Sequence, residues 1–370
     1  MLMTLALLAT VTLPQSDSIH EGRGYGRGRG QGVGDTTFAV ANGARLDVNN
    51  FGGEIVVHTW NQNSVRVHSN HSNRSSVNVS TSQSTVVVRT EGRRGPPSVV
   101  DLELTVPTWM GMTLGGTYTD ISVDGAAGSV TAESVQGDIE VTGGTGNVEL
   151  KTVQGGVTLS KTKGHITVNS VQGDLDIQDV SGDVSVETVN GDITLARVDA
   201  TNLDVNTVSG DVIYDGAIKS GGSYQMSTHS GDVTIVVPPS TNVCGTVETF
   251  NGDFDASFTV DTMRPAKHRF NFTVGRSTGC ARLEVDTFSG DIKLRRPGQV
   301  NLKKHKNSDN DNDMDNDNDN DTDTSAASVI DHAATSAARY AAEYASKYAA
   351  HYAPQYARTY ARFYSHLYAH

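Results

Sequence analysis

The chain of 370 residues is poor in what a thick globular core needs. Its apolar content is 36% and its aromatic content 6%, while glycine is high at 38 residues. Low apolar content with many glycines excludes a deep core and suits a thin one with many turns. Cysteine is scarce: Cys244 and Cys280 are the only two, with no C-x-x-C and no Cys/His cluster to hold a metal. No cofactor is implied. Positive charge is also in deficit, the formal net charge being -13, which excludes nucleic acid as a general partner. The longest apolar run, Met1 to Leu13, is too short to span a bilayer. It reads as the apolar part of a secretion signal over 1–16, although no Lys or Arg precedes it.

Residues 17–35 include "HEGRGYGRGRGQGVG", a Gly/Arg-rich spacer without packing groups. Alternation of apolar and polar residues then begins near Phe38. Phe38 and Val40, Leu46 and Val48, and Ile55 and Val57 mark half-buried strands in an N-terminal β region over 36–107. No segment of that region has helical spacing.

Solenoid repeats are expected over 108–297. Gly128, Gly137, Gly146, Gly155, Gly164, Gly173, Gly182 and Gly191 form an unbroken series nine apart, the signature of a solenoid. Every second unit carries Ser/Thr-apolar-Gln/Asn-Gly, as in "SVQG" at 134 and "TVQG" at 152, so the unit is eighteen residues with two sides. Looser copies follow: "TVSGD" at 207, "THSGD" at 228, "TFNGD" at 249 and "TFSGD" at 287. The insertion around "TVDTMRPAKHRFNFTVGRSTGCARL" adds strands or a protruding loop. Successive residues of a strand face opposite sides. On that rule Val135, Ile139 and Val141 are expected inside, with Val171, Leu175 and Ile177. Ser134, Gln136, Asp138 and Glu140 are expected outside. Each coil is expected to lie directly over the one before it in sequence.

The recurring Gly-Asp pairs are read as structural turns: Gly137 and Asp138, Gly173 and Asp174, Gly182 and Asp183, Gly191 and Asp192, Gly210 and Asp211, Gly231 and Asp232, Gly252 and Asp253, Gly290 and Asp291. Calcium binding of the nonapeptide-repeat kind is disfavoured. Two residues after each glycine, where that motif places its Asp, stand apolar residues such as Ile139, Val148 and Leu175. Catalysis is disfavoured too, because acid/base work needs two carboxylates in different surroundings, and an Asp repeated in every coil is no exception to its neighbours. Asp side chains commonly accept hydrogen bonds from nearby backbone N–H groups. Cys244 and Cys280 sit at odd offsets from Thr249 and Thr287, which permits a disulfide between adjacent coils.

Two further segments follow. Residues 298–325 include an Asp/Asn-rich run read as a disordered acidic linker, able at most to bind Ca²⁺ weakly. Residues 326–370 form an Ala/Tyr-rich tail expected to be helical, with Tyr every fourth residue from Tyr340 to Tyr368 and a break at Pro354. Its tyrosines suit self-association.

The combination of "LDVNNFGGEIVV", "VDLELTVP" and repeated V-x-G-D-I resembles the bacterial putative-adhesin family of uncharacterised β-strand-repeat proteins, over residues 38 to 296. The resemblance implies an all-β, two-sided β-solenoid at the cell envelope or surface and supplies no catalytic residues. The expected function is therefore a non-catalytic exported protein of the periplasm, envelope or surface. Its binding or scaffolding partner would be a surface ligand or an envelope protein. The alternatives are an envelope-stress or regulatory module and a polysaccharide-active β-helix enzyme using Asp174 or Asp192.

Overall fold

The computed structural model describes residues 31–82, 84–93, 99–266 and 268–300. The expected secretion signal, most of the spacer, the acidic linker from 301 onward and the Ala/Tyr-rich tail lie outside the described residues. Among the described residues there is no helix long and apolar enough to cross a membrane.

The described chain is all β. The first strands are β1 (Gln31–Ala39), β2 (Arg45–Trp60), β3 (Ser64–Ser72), β4 (Ser75–Thr81), β5 (Thr85–Gly92), β6 (Val100–Pro107) and β7 (Gly111–Ala126). The middle strands are β8 (Val130–Gln136), β9 (Ile139–Gly143), β10 (Thr145–Gln154), β11 (Val157–Ser160), β12 (Lys163–Asn169), β13 (Leu175–Gln178) and β14 (Ser181–Glu187). Then come β15 (Ile193–Ser209), β16 (Val212–Gly216), β17 (Ser223–Ser230) and β18 (Val233–Val236). The last are β19 (Val243–Asn251), β20 (Phe254–Ala256), β21 (Asp261–Ala266), β22 (Arg269–Val274), β23 (Ala281–Ser289) and β24 (Ile292–Arg295). Strand β1 starts at Gln31, inside the expected spacer, because pairing with β3 satisfies its backbone.

In the middle of the solenoid the parallel register steps by eighteen residues. Val130 pairs with Val148, Val148 with Ile166 and Ile166 with Val184 on one side. Ile139 pairs with Val157, Val157 with Leu175 and Leu175 with Ile193 on the other. An irregularity at Gly182/Asp183 then inserts one residue, and Val184 meets Leu203. The core between the two sides is a single layer of Val, Ile and Leu, buried essentially completely. Such a coil cannot bury its apolar face alone, so stability comes from stacking.

Inward and outward faces differ from the expectation at one point. Ser134 is buried, at 4% exposure, while Val135 and Val171 are half-buried on the outside. The alternation runs inward through Val130, Ala132 and Ser134, and resets at Gly137 so that Ile139 and Val141 point in again. Extending one parity across the turn therefore mislabels the residues just before it.

The coils do not stack in sequence order at either end. Strands β23 and β24 lie between earlier coils: β17 pairs with β23, and β23 in turn with β19. On the other side β18 pairs with β24, and β24 with β20. The last coil in sequence is thus inserted beneath the one before it. At the N-terminal end β2 pairs with β7 on one flank and with β5 and β6 on the other, so the first coil is also interior. Strands β6 and β7, on either side of 107/108, both pair with β2. Antiparallel strands finish the ends: β3 and β1 beyond β6, β4 beyond β5, and the hairpin β21–β22 beyond β19. Switching to antiparallel pairing ends the parallel ladder that would otherwise offer itself to another chain.

The inserted coil is tied in covalently. Cys280, just before β23, forms a disulfide with Cys244 of β19, with Cα atoms 5.6 Å apart. Phe254, Phe270 and Phe272 close the core beside it, with ring centroids 5.6 to 5.7 Å apart.

Two outcomes are expected from this geometry. At Gly173 φ is +146°, and an added Cβ would lie 2.1 Å from the Gly155 carbonyl oxygen. Gly146 has φ +82° with nothing within 4 Å. Gly173→Ala should cost about 3 kcal/mol or more in urea unfolding, and Gly146→Ala only about 1 kcal/mol, its backbone strain alone. Cys244→Ser with Cys280→Ser frees a loop of sequence separation 36. It should cost about 3–4 kcal/mol, and hydrogen exchange should show β19, β22 and β23 losing protection before β8 to β14.

Candidate functional site: the glycine-aspartate corner

The corner that joins the two sides repeats one local chemistry at every level. Gly137, Gly155, Gly173, Gly191, Gly210, Gly231 and Gly290 have φ between +146° and +155°. Each approaches the carbonyl of the corner beneath it so closely that a Cβ could not fit. The contact order is that of the stack: Gly290 lies over Gly231, and Gly252 over Gly290. Gly182 belongs to the opposite corner, over Gly164.

Three rows of side chains follow from that spacing. Inside the corner, hydroxyls donate to the carbonyl beneath: Ser134 Oγ to Thr119 O at 2.8 Å, Thr152 Oγ1 to Gly137 O at 3.1 Å, and Thr249 Oγ1 to Gly290 O at 3.1 Å. Thr188 Oγ1 and Thr207 Oγ1 are buried at the same position without a hydrogen-bond partner. They flank the levels where the register gains a residue.

Outside the corner, the carboxylates accept from the next coil rather than from their own turn. Asp120 Oδ1 accepts from Asp138 N at 2.9 Å, Asp174 Oδ1 from Asp192 N at 2.9 Å, and Asp192 Oδ1 from Asp211 N at 2.8 Å. The chain of bonds continues through Asp211, Asp232, Asp291 and Asp253 in stacking order. At Gly156 it is interrupted: Asp138 Oδ1 accepts from Gly156 N at 2.7 Å, and that level contributes no carboxylate. Asp183, on the opposite corner, accepts instead from the Asn202 side chain at 2.8 Å. Lys293 stands among the row, bonded to Asp232 and within 3.6 Å of Asp291. It holds the Asp232 carboxyl below the ordinary range against the opposing effect of burial.

The third row is apolar and faces out. Val135, Val153, Val171, Val189 and Val208 occupy it, half-buried. Above them the row becomes aromatic. His229 stacks on Phe288 at 4.9 Å and 5°, Phe288 on Phe250 at 5.1 Å and 8°, and Phe250 on His268 at 4.8 Å and 25°. Phe250 is 57% exposed. At the other end Phe51 and Tyr118 meet edge to face at 5.7 Å, and Tyr118 is 55% exposed. The sequence carries the signal for this row in the residue after each Thr of "THSGD", "TFNGD" and "TFSGD", where Val gives way to His and Phe. Read singly, His229 looks like an isolated surface residue; the register makes it part of a stack. Between the apolar and acidic rows run Gln136, Gln154, Gln172 and Asn190.

The structure brings the Asp residues into one row, in which Asp232 and Asp291 share Lys293. Among the described residues, no group of three or more His, Cys, Asp or Glu side chains could hold a metal ion. A depression of about 210 Å³ on strands β3 and β6 is lined by Arg66, His68, Glu103 and Thr105.

One carboxylate on the flat side of the stack is perturbed. Asp286 lies opposite Glu248 of β19. Its pKa is pushed up to about 6 by burial first and by Glu248 and Glu284 next, with Arg269 opposing.

The described residues form a β-solenoid whose corner presents an extended, repeating surface. The chain belongs to the Toastrack DUF4097 family, whose model matches residues 9–295. No curated protein matches it. Among solved structures it is similar to a putative cell adhesion protein from Clostridium sporogenes, at 10% identity over 72% of this chain and 100% of that one, TM-score 0.20. It is also similar to putative adhesins from Parabacteroides distasonis (11% identity, 71% and 97% of the two chains, TM-score 0.32) and Bacteroides fragilis (12%, 72% and 99%, TM-score 0.32).

The Asp286 carboxyl gives a pH prediction. Its folded pKa lies above its unfolded value, so the folded state gains stability as pH falls through about 6, and the gain is complete below about 4. At pH 7.5 the ionised group is a cost of about 1–2 kcal/mol after allowance for its partial exposure. Asp286→Asn should raise the unfolding midpoint at pH 7.5, and the advantage should shrink through pH 6 and vanish near pH 4.

Proposed function

We propose that this chain is a non-catalytic, exported protein of the cell envelope or surface. Its solenoid, built of two-sided coils of about eighteen residues, presents the glycine-aspartate corner for binding or scaffolding. The observation that carries the reading is the recurrence of the same outward rows, apolar, amide and acidic, at level after level. A catalytic centre needs a place unlike its surroundings; a binding face that follows a long partner needs sameness. The resemblance of the sequence to the putative-adhesin family supports an envelope or surface location, and the disulfide suits an oxidising compartment. The partner is a surface ligand or an envelope protein.

Cell fractionation combined with protease treatment of intact cells tests this reading. The protein is expected in the envelope or extracellular fraction, with its solenoid reached by protease or released with periplasmic contents. Retention of the whole chain in the cytosol would overturn it.

A further inference from the structure

We infer that the apolar-aromatic row of the corner is a docking strip for an extended polypeptide segment that is basic and carries apolar side chains. The inference rests on the binding role proposed above and names the chemistry of the partner. The row is continuous over eight stacked levels, from Val135 through Val153, Val171, Val189, Val208, His229 and Phe288 to Phe250. At the parallel strand spacing of roughly 4.8 Å it runs about 34 Å, the reach of about ten extended residues. It is apolar without being buried, and it ends on an aromatic stack whose outermost phenylalanine is more than half exposed.

Charge selects the occupant. Three residues beyond Val135, Val171, Val189 and Val208 stands a carboxylate, with Gly156 in that place beyond Val153, and Asp120, Asp138, Asp192, Asp211 and Asp253 are exposed. Their Oδ1 atoms are committed along the stack at Asp120, Asp138, Asp192 and Asp211, so the row is held in place as a line of negative charge, offset by Lys293 only where it meets Asp232 and Asp291. A partner lying on the valines meets that line at its flank. Lysine or arginine side chains can lay their stems on the apolar row and carry their charge to the carboxylates. Nucleic acid and anionic lipid would be repelled. A second copy of this chain would bring the same acidic row against itself, and the chain carries a formal charge of -13. The amide row between the two supplies donors and acceptors for the backbone of an extended segment.

The test uses the purified full chain and three synthetic peptides of about twelve residues, a length chosen to cover the strip at about 3.3 Å per residue. The peptides alternate lysine with valine, lysine with serine, and glutamate with valine. Calorimetry should show the lysine-valine peptide binding at least tenfold tighter than the lysine-serine peptide, with no binding of the glutamate-valine peptide. Phe250→Ser with Phe288→Ser should remove at least tenfold of that affinity. Because those rings also pack on one another, Val153→Ser with Val171→Ser provides a second variant at half-buried sites of the regular coils, with the same expected loss. Asp138→Asn with Asp211→Asn keeps a side-chain oxygen as acceptor while removing charge, and should weaken binding and flatten its salt dependence. Equal binding of the two lysine peptides, or unchanged binding by both row variants, overturns the inference. So does a row variant that alters only the oligomeric state in sedimentation, which would assign the strip to self-association. An envelope-located protein that fails the peptide test loses the docking strip but keeps the proposed role; a cytosolic one loses the role whatever the peptides do.

Discussion

The structure depends on how closely one corner can approach the next. At Gly155, Gly173, Gly191, Gly210, Gly231 and Gly290 a glycine sits against the carbonyl of the glycine beneath, where an added Cβ would come within about 2 Å of oxygen. Only a residue without a side chain permits that approach, and its backbone angle is one that L side chains rarely adopt. Once the corners are locked in this way, the positions around them are no longer free. The residue three before the glycine points in and is small, Ser or Thr; its hydroxyl donates to the carbonyl beneath at Ser134 and Thr152, and is buried without a partner at Thr188 and Thr207. The residue two before it points out, and the Asp after it reaches the next backbone N–H. The same close approach therefore sets the core, the cross-coil hydrogen bonds and the outward rows.

The second constraint is how the stack ends. A parallel solenoid exposes a full ladder of unpaired backbone groups at each end. Here the first and last coils are not the end coils. Each is sandwiched between neighbours, and the outermost levels are finished by antiparallel strands. The chain thereby places the coils next to its own described ends where pairing on both flanks holds them. The disulfide between Cys244 and Cys280 joins the inserted coil to the one that covers it. The phenylalanines at 254, 270 and 272 seal the core at that end. The disulfide thus acts on the coil inserted out of sequence order, and the phenylalanines act on the strands that cover it.

Much of this was legible from residues alone. The glycine spacing of nine, doubled to eighteen by "SVQG" and "TVQG", matches the register at which Val148 meets Ile166 and Leu175 meets Ile193. What could not be read was the order of coils at the ends. "TFNGD" at 249 and "TFSGD" at 287 present the same pattern to a neighbour, and either could follow "THSGD" at 228. The choice is made by the hairpin between them, which pairs β22 with β19 and sends the chain back. The inward serine was missed for a different reason. Val135 is the more apolar of the pair, but the turn at Gly137 resets the alternation, and Ser134 satisfies its hydroxyl on a backbone carbonyl. Parity carries no information across a residue whose φ is positive. The Asp residues were recognisable as backbone acceptors, but a sequence does not distinguish a bond within one turn from a bond to the next coil.

The aromatic row links the two constraints. Valines serve at the outward position where coils follow one another in order, and rings replace them at His229, Phe288 and Phe250, the levels where order is exchanged. A regular coil is held in register by its glycine contacts and by short connections to the coils on either side. The inserted coil lacks the second of these, since it reaches its place only after a detour through β19 to β22. Stacked rings add contact area between levels at the point where chain connectivity adds none. Stacking covers the ring faces and leaves their edges toward solvent, as the exposure of Phe250 shows. Stabilising an out-of-order coil from outside the core has the consequence of leaving a strip of apolar surface beside a line of carboxylates. The surface that the fold needs at its end and the surface that a partner can use are, on this account, the same one.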